Sequence, residues 1–233
     1  MNLKLFFQLF LSFILFTIIG TLTHECGHYV AGKLLGIQST VHYGYTTIET
    51  EDFNPELQKI YERYRVEIEH KRAFPLKDKY DSLIKNLDRN EFYFIVGGPL
   101  QTMLTGTIGL VIILCYKKSF RIATTLRLRQ WMAIFLSLFW LRELANCVVM
   151  LTMMLFTNKR SFRNDEVKIA EYFGCHFTFV TIVTALVALI IGVVITFKFV
   201  PLMQRKTFIA AGFAGGVAGY ILWLYILGPI ILP

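Results

Sequence analysis

The chain has 233 residues, of which 55% are hydrophobic and 17% charged, with a formal net charge of +8 and a mean hydropathy of +0.53. That hydropathy excludes an ordinary soluble domain and fits an all-α polytopic membrane protein. In such a protein the basic surplus serves loops and anionic headgroups rather than nucleic acid. The cysteines, Cys26, Cys115, Cys147 and Cys175, are isolated, with no C-x-x-C pair, and suggest neither a disulfide framework nor a cysteine zinc site.

The first apolar run, 4–36, is longer than the roughly 20 residues that a spanning helix needs. It lacks a short core followed by a small-x-small site, so it is expected to be retained rather than cleaved. Leu5 to Thr23 contains no charged residue, and then comes His24-Glu25-Cys26-Gly27-His28. On a helix, histidines four apart share one face and can reach one metal ion. Glu25, beside the first histidine, is placed to take a proton from a water activated by that ion. Cys26 points to another face and reads as a packing residue. Ionisable groups are costly in a span, about 2.5–3.5 kcal/mol each for charged types near its centre, so this cluster calls for a functional reason.

A polar segment, 37–91, follows. Residues 41–48, rich in aromatic and β-branched types, read as a strand or hairpin. Asn54 then reads as a cap with Pro55 at the first helical position. A helix is expected over 57–69, a break at Phe74-Pro75, and a second polar helix from 76 to about 90. Together these make a small α/β insertion.

The second apolar run, 92–116, opens on Gly97-Gly98-Pro99. The third, 130–157, carries Glu143 beside Arg142, and Asn146 one turn on. Glu143 reads either as a metal ligand or, the favoured reading, as an ion-pair partner of Arg142 or of a neighbouring helix. Asn146 can hydrogen-bond an extended backbone or act between helices. Residues 158–176 contain Asp165-Glu166 at the start of a short helical pattern. The last two runs are 177–200 and 207–232. In the latter, Ala211, Gly215 and Gly219 lie on one line, which suits close packing of spans. Packing within the chain is favoured over an oligomer formed through the Gly215/Gly219 helix.

Five spans alternate sides, so the His24–His28 end of the first run, the start of the second and the 158–176 loop meet at one membrane face. A catalytic zinc takes three protein ligands and keeps one position open. Asp165 is the first choice for the third ligand, with Glu166 and Glu143 as alternatives.

The segment Thr23–Gly36 resembles the H-E-x-G-H helix of the site-2 protease family of intramembrane zinc metalloproteases. Val96-Gly97-Gly98-Pro99-Leu100-Gln101 is similar to that family's Ala-Gly-Pro-Leu-Ala-Asn segment. Asn164-Asp165-Glu166 stands where the family has Leu-Asp-Gly-Gly, with Glu166 in place of a glycine and no Asn-x-x-Pro before it. The strand-like 41–48 segment resembles the β element that follows the family's first core helix. The likeness covers about residues 15–175.

The resemblance implies a zinc endopeptidase of a multi-pass cell membrane, with one Zn²⁺ per chain held by His24, His28 and Asp165, and Glu25 as the general base. Its partners would be the lipid bilayer and a membrane-embedded protein substrate. The substrate would pair as a strand beside Tyr43 and Tyr45, approach the backbone closely at Gly97 and Gly98, and meet Asn146. The rival is a non-catalytic metal-binding scaffold or transport protein. The expected divisions are 1–36 with the motif, 37–91 as the polar insertion, 92–176 with two spans and the third-ligand loop, and 177–233 with two further spans. Lys and Arg number 14 on the motif side, counted from Lys33 onward, and 9 on the other, counting Lys4, which favours a cytoplasmic active site.

Overall fold

A computed structural model describes residues 2–48, 55–157 and 164–233. Asn54, the expected helix cap, lies outside these described residues. Five helical segments are long and apolar enough to cross a membrane: Leu3–Leu34, Lys77–Cys115, Leu128–Phe156, Phe179–Phe199 and Leu202–Ile231. Their order matches the five apolar runs of the sequence.

Helix α1 (Leu3–Leu34) starts at Asn2, whose side chain accepts from the Leu5 amide at 3.1 Å. It ends where Gly36 takes a positive φ of 73°, a conformation open to glycine at little cost. Its hydroxyls return to the helix: Thr17, Thr21 and Thr23 donate to carbonyls one turn back, so none needs a distant partner in an apolar setting.

Beyond α1 a short antiparallel hairpin forms, β1 (Ser39–Val41) with β2 (Thr46–Ile48), in the register Thr40↔Thr47. Residues 42–45 are its turn, closed by the His42 amide donating to the Tyr45 carbonyl at 2.9 Å. Helix α2 (Pro55–Glu69) is polar and bends at Tyr64.

The expected break near residue 90 is absent. The polar helix and the second span are one helix, α3 (Lys77–Cys115), which also carries Pro99 through its interior. Residues 88–96 hold neither glycine nor proline, so nothing local stops helix propagation there. Helix α4 (Lys117–Ile122) closes the turn beyond α3.

The third span is built in pieces: α5 (Leu128–Ser137), a 3₁₀ turn over Leu138–Trp140, and α6 (Leu141–Thr157). The turn sits where Gly106 and Gly109 of α3 face Trp140 and the Ser137 backbone. Helix α7 (Asp165–Tyr172) follows. The fourth span, α8 (Phe179–Val194), passes into a π-helical stretch over Ile195–Phe199. The fifth comprises α9 (Leu202–Ile221), a second π-helical stretch (Leu222–Leu227) and α10 (Gly228–Ile231).

The largest apolar core lies toward the start of α1 and joins Leu9, Ile113, Trp131, Ile134, Phe135, Ile195 and Phe208. Phe16 stacks on Phe135 at 4.7 Å. The small-residue line of the fifth span faces α1: Gly215 meets Phe10 and Phe13, and Gly219 meets Ile14 and Thr17. That face is therefore covered within the chain, as the packing reading expected. The opposite end of the bundle, toward the close of α1, holds the polar groups.

Candidate metal centre

His24 and His28 lie one turn apart on the buried face of α1, with their Nε2 atoms 3.3 Å from each other. Each ring is fixed by its other nitrogen. His24 Nδ1 bonds Thr102 Oγ1 of α3 at 2.9 Å, and His28 Nδ1 bonds the Phe94 carbonyl at 2.9 Å. A carbonyl can only accept, so His28 Nδ1 carries a proton. Partners of this kind orient the histidine ligands of metal sites.

Asp165 closes the group. Its Oδ2 lies 3.0 Å from His24 Nε2 and 3.2 Å from His28 Nε2. Helix α7 delivers it there because α7 is clamped to α3: Phe92 stacks on Tyr172 at 4.0 Å, and Lys168 pairs with Glu91 at 3.6 Å. Burial alone would raise the Asp165 carboxyl. The hydrogen bonds and positive potential of His24 and His28 outweigh it and hold that carboxyl below the usual carboxylate range.

Among the described residues, His24, His28 and Asp165 are the one group of His, Cys, Asp or Glu side chains that could hold a metal ion. Neither alternative third ligand joins it. Glu166 is buried, and its Oε1 accepts instead from Asn146 Nδ2 at 2.9 Å. Glu143 is wholly buried beside Glu166, and its two oxygens find no hydrogen-bond partner among the described residues. The ion pair expected between Glu143 and Arg142 does not form. Arg142 turns the other way, with Nη2 3.7 Å from Glu25 Oε1.

Glu25 is buried, and its carboxylate is held from two elements. Arg142 faces Oε1, while Thr46 Oγ1 of β2 lies 3.0 Å from Oε2 and 3.1 Å from the Glu25 carbonyl. The hairpin thus reaches the motif directly.

The roles expected for Gly97 and Gly98 are corrected. Gly97 packs backbone to backbone on Gly27, and a Cβ at either glycine would collide with the other's carbonyl. Gly98 leaves room for the histidines, since a Cβ there would strike both imidazoles. Helix crossing and the histidine rings fill the space that a substrate backbone was expected to use.

Tyr43 and Tyr45 lie in the turn rather than along a free strand edge. The Tyr43 amide donates to the Leu232 carbonyl at 3.0 Å, and its carbonyl accepts from Trp223 Nε1 at 2.7 Å. His42 also meets the Pro233 carbonyl through Nδ1. The end of the fifth span therefore occupies the Tyr43 backbone, which cannot pair with a substrate as well.

A cavity of about 490 Å³ opens onto the group, lined by His24, Glu25, His28, Arg142, Asn146 and Asp165 together with Tyr45, Thr46 and Ile48 of the hairpin. Asn146 also lines it, with its amide nitrogen donating to Glu166 Oε1.

Thr46, Thr102 and Arg142 were missed as site residues. For Arg142 a signal existed, since an ionisable group inside an apolar span points to function. Thr46 and Thr102 are ordinary threonines in sequence.

The donor set suits a metal ion. Two imidazole nitrogens and one carboxylate oxygen converge within 3.3 Å, a set that a bound cation or a shared proton can hold together. Ligands about 2.0–2.1 Å from a tetrahedral metal stand about 3.3 Å from one another, close to these separations. Comparison with family models, characterised proteins and solved structures finds no match.

Proposed function

We propose that this chain is an intramembrane zinc endopeptidase that cleaves a membrane-embedded protein. The observation that carries the reading is the convergence of His24, His28 and Asp165 beside a buried Glu25, in a cavity between spans. Two histidines and one carboxylate form a ligand set that suits a hydrolytic zinc with an open position.

Zinc bound there supplies Lewis acidity, which makes a water nucleophilic at neutral pH and polarises a carbonyl. Glu25 takes one proton from the attacking water as the water oxygen bonds to the scissile carbonyl carbon. The carbonyl π electrons move onto the carbonyl oxygen. When they return, the C–N bond breaks, and Glu25 passes its proton to the leaving nitrogen. The products are a carboxylic acid and an amine. Thr102 and the Phe94 carbonyl keep both imidazoles aimed throughout, and Thr46 holds the Glu25 carboxylate.

The substrate must be unwound to expose a peptide bond. Thr46 and Ile48 of β2 line the cavity, so the outer edge of β2 is the place for an added substrate strand. The Lys and Arg excess on this side of the chain supports an active site toward the cytoplasmic face of a cell membrane.

The test is reconstitution in proteoliposomes with a single-span reporter substrate, alongside a measurement of zinc content. Wild type should bind one zinc and cut the reporter. Glu25→Gln should keep the zinc and lose at least 10²-fold in rate. Zinc binding without any cleavage by wild type would replace this reading with a metal-binding scaffold.

A further inference from the structure

Arg142 is the one Lys or Arg inside the apolar core of the third span. It lines the cavity of the metal centre, with its side chain 26% exposed there. Among the described residues no hydrogen bond engages its guanidinium. It is ion-paired with Glu25 Oε1 at 3.7 Å, beyond hydrogen-bond distance, and Nε is buried without a partner among the described residues. A guanidinium carries five donors in a planar fork. The side chain opens on the cavity, so an acceptor there can take the fork and offset the cost of a charge in a span. Such an acceptor must reach the cavity between Glu25 and the histidines.

We infer that Arg142 is a catalytic residue, the donor for the scissile carbonyl oxygen and for the negative charge that develops on it. This inference rests on the endopeptidase reading. Charge grows on the carbonyl oxygen as the water oxygen bonds to carbon, and a fixed cation in a water-poor cavity stabilises it without reorganising at the moment of reaction. Glu25 and Arg142 divide the work: the carboxylate handles the proton and the guanidinium the oxygen. Glu143 makes no hydrogen bond to the fork: its two oxygens and Arg142 Nε are all without a hydrogen-bond partner among the described residues. Asn146, one turn along α6 and lining the same cavity, has its amide nitrogen bonded to Glu166.

The inference predicts strong transition-state selectivity. Arg142→Gln should lower kcat at least 10²-fold, with zinc content unchanged and KM within threefold. Arg142→Lys keeps the charge, loses the planar fork and should fall between the two. The separating measurement uses the Glu25→Gln protein, which carries no base. There, a zinc-loaded sample is titrated with a phosphinic peptide, whose tetrahedral anion mimics the developing charge, and with the matching uncleaved peptide. Arg142→Gln in this background should weaken the phosphinic peptide about 10²-fold and the peptide less than threefold.

Equal weakening of both ligands, or no weakening of either, overturns the inference and makes Arg142 a positioning residue for Glu25. Full cleavage by a folded, zinc-loaded Arg142→Gln does the same while leaving the endopeptidase reading intact. If Arg142→Gln does not fold, the Arg142→Lys protein carries the test: a phosphinic affinity equal to wild type overturns the role of the fork. No cleavage by wild type removes both readings together.

Discussion

Alanine at position 98 separates the proposed metal centre from the fold. Gly98 faces the two histidines across the α1–α3 contact. A Cβ there would stand 2.6 Å from His24 Nε2 and 2.7 Å from His28 Cε1, where ordinary contact begins near 3.4 Å. The atoms it meets are side chains, so the rings can yield, each by most of an ångström. Metal sites hold their ligands to about ±0.2 Å. A displacement of that size should lower zinc affinity at least 10²-fold. Helix α3 itself gains, since Ala in a helix interior is worth about 0.5–1 kcal/mol over Gly. Gly97→Ala is the control one residue away. Its Cβ would meet Ala31 Cβ at 2.8 Å and the Gly27 carbonyl carbon at 3.0 Å. Backbone cannot step aside, so overpacking should cost about 1–3 kcal/mol of stability. The assay is thermal unfolding in detergent with and without chelator, together with zinc content. Gly98→Ala should keep the chelator-treated Tm of wild type and lose the rise that zinc gives. Gly97→Ala should lower Tm in both conditions. Stoichiometric zinc at wild-type affinity in Gly98→Ala would refute the idea that this glycine exists to clear the rings.

Asp165→Ala should reduce zinc occupancy far more than Glu143→Ala or Glu166→Ala, as read by metal analysis at matched free zinc, since only Asp165 reaches both imidazoles. Thr46→Val removes a hydroxyl from the Glu25 carboxylate at nearly constant volume. A hydrogen bond to a charged group is worth about 1.5–3 kcal/mol, so kcat on a membrane reporter should fall at least tenfold with KM and zinc kept, and Thr46→Ser should restore it. Replacing Gly215 with leucine should lower Tm and leave any self-association unchanged, because Phe10 and Phe13 of the same chain fill that side; analytical ultracentrifugation in detergent checks the second part.

What could be read from the sequence was local or followed from counting. The i, i+4 spacing of His24 and His28 is a property of any helix, and it held. Asp165 followed from the alternation of spans, which needs no packing detail. The misses all depend on which surfaces meet. Gly97 and Gly98 are adjacent glycines opening a span, and nothing in their spacing tells that one faces a backbone and the other two imidazoles. Arg142 was paired with Glu143 because they are neighbours in sequence, yet adjacent positions on a helix point about 100° apart. The rotation of α6 sent one toward Glu25 and the other toward Glu166. Tyr43 looked like a strand edge because nothing in 41–48 reveals that Trp223 and Leu232, far along the chain, bind its backbone.

That last contact also sets an order in time. Spans enter the membrane as the chain is made, so His24, Glu25 and His28 arrive first and Asp165 joins them once the third span has passed. Thr46 belongs to a two-stranded hairpin, a unit too small to be stable alone, and its turn is pinned by residues beyond position 220. A nascent chain halted before its fifth span would own every proposed ligand and the proposed base, with the Thr46 hydroxyl still unanchored. Any peptide-cutting competence of this site would thus come only after the fifth span is made, a delay that would shield neighbouring nascent membrane proteins from a half-built site.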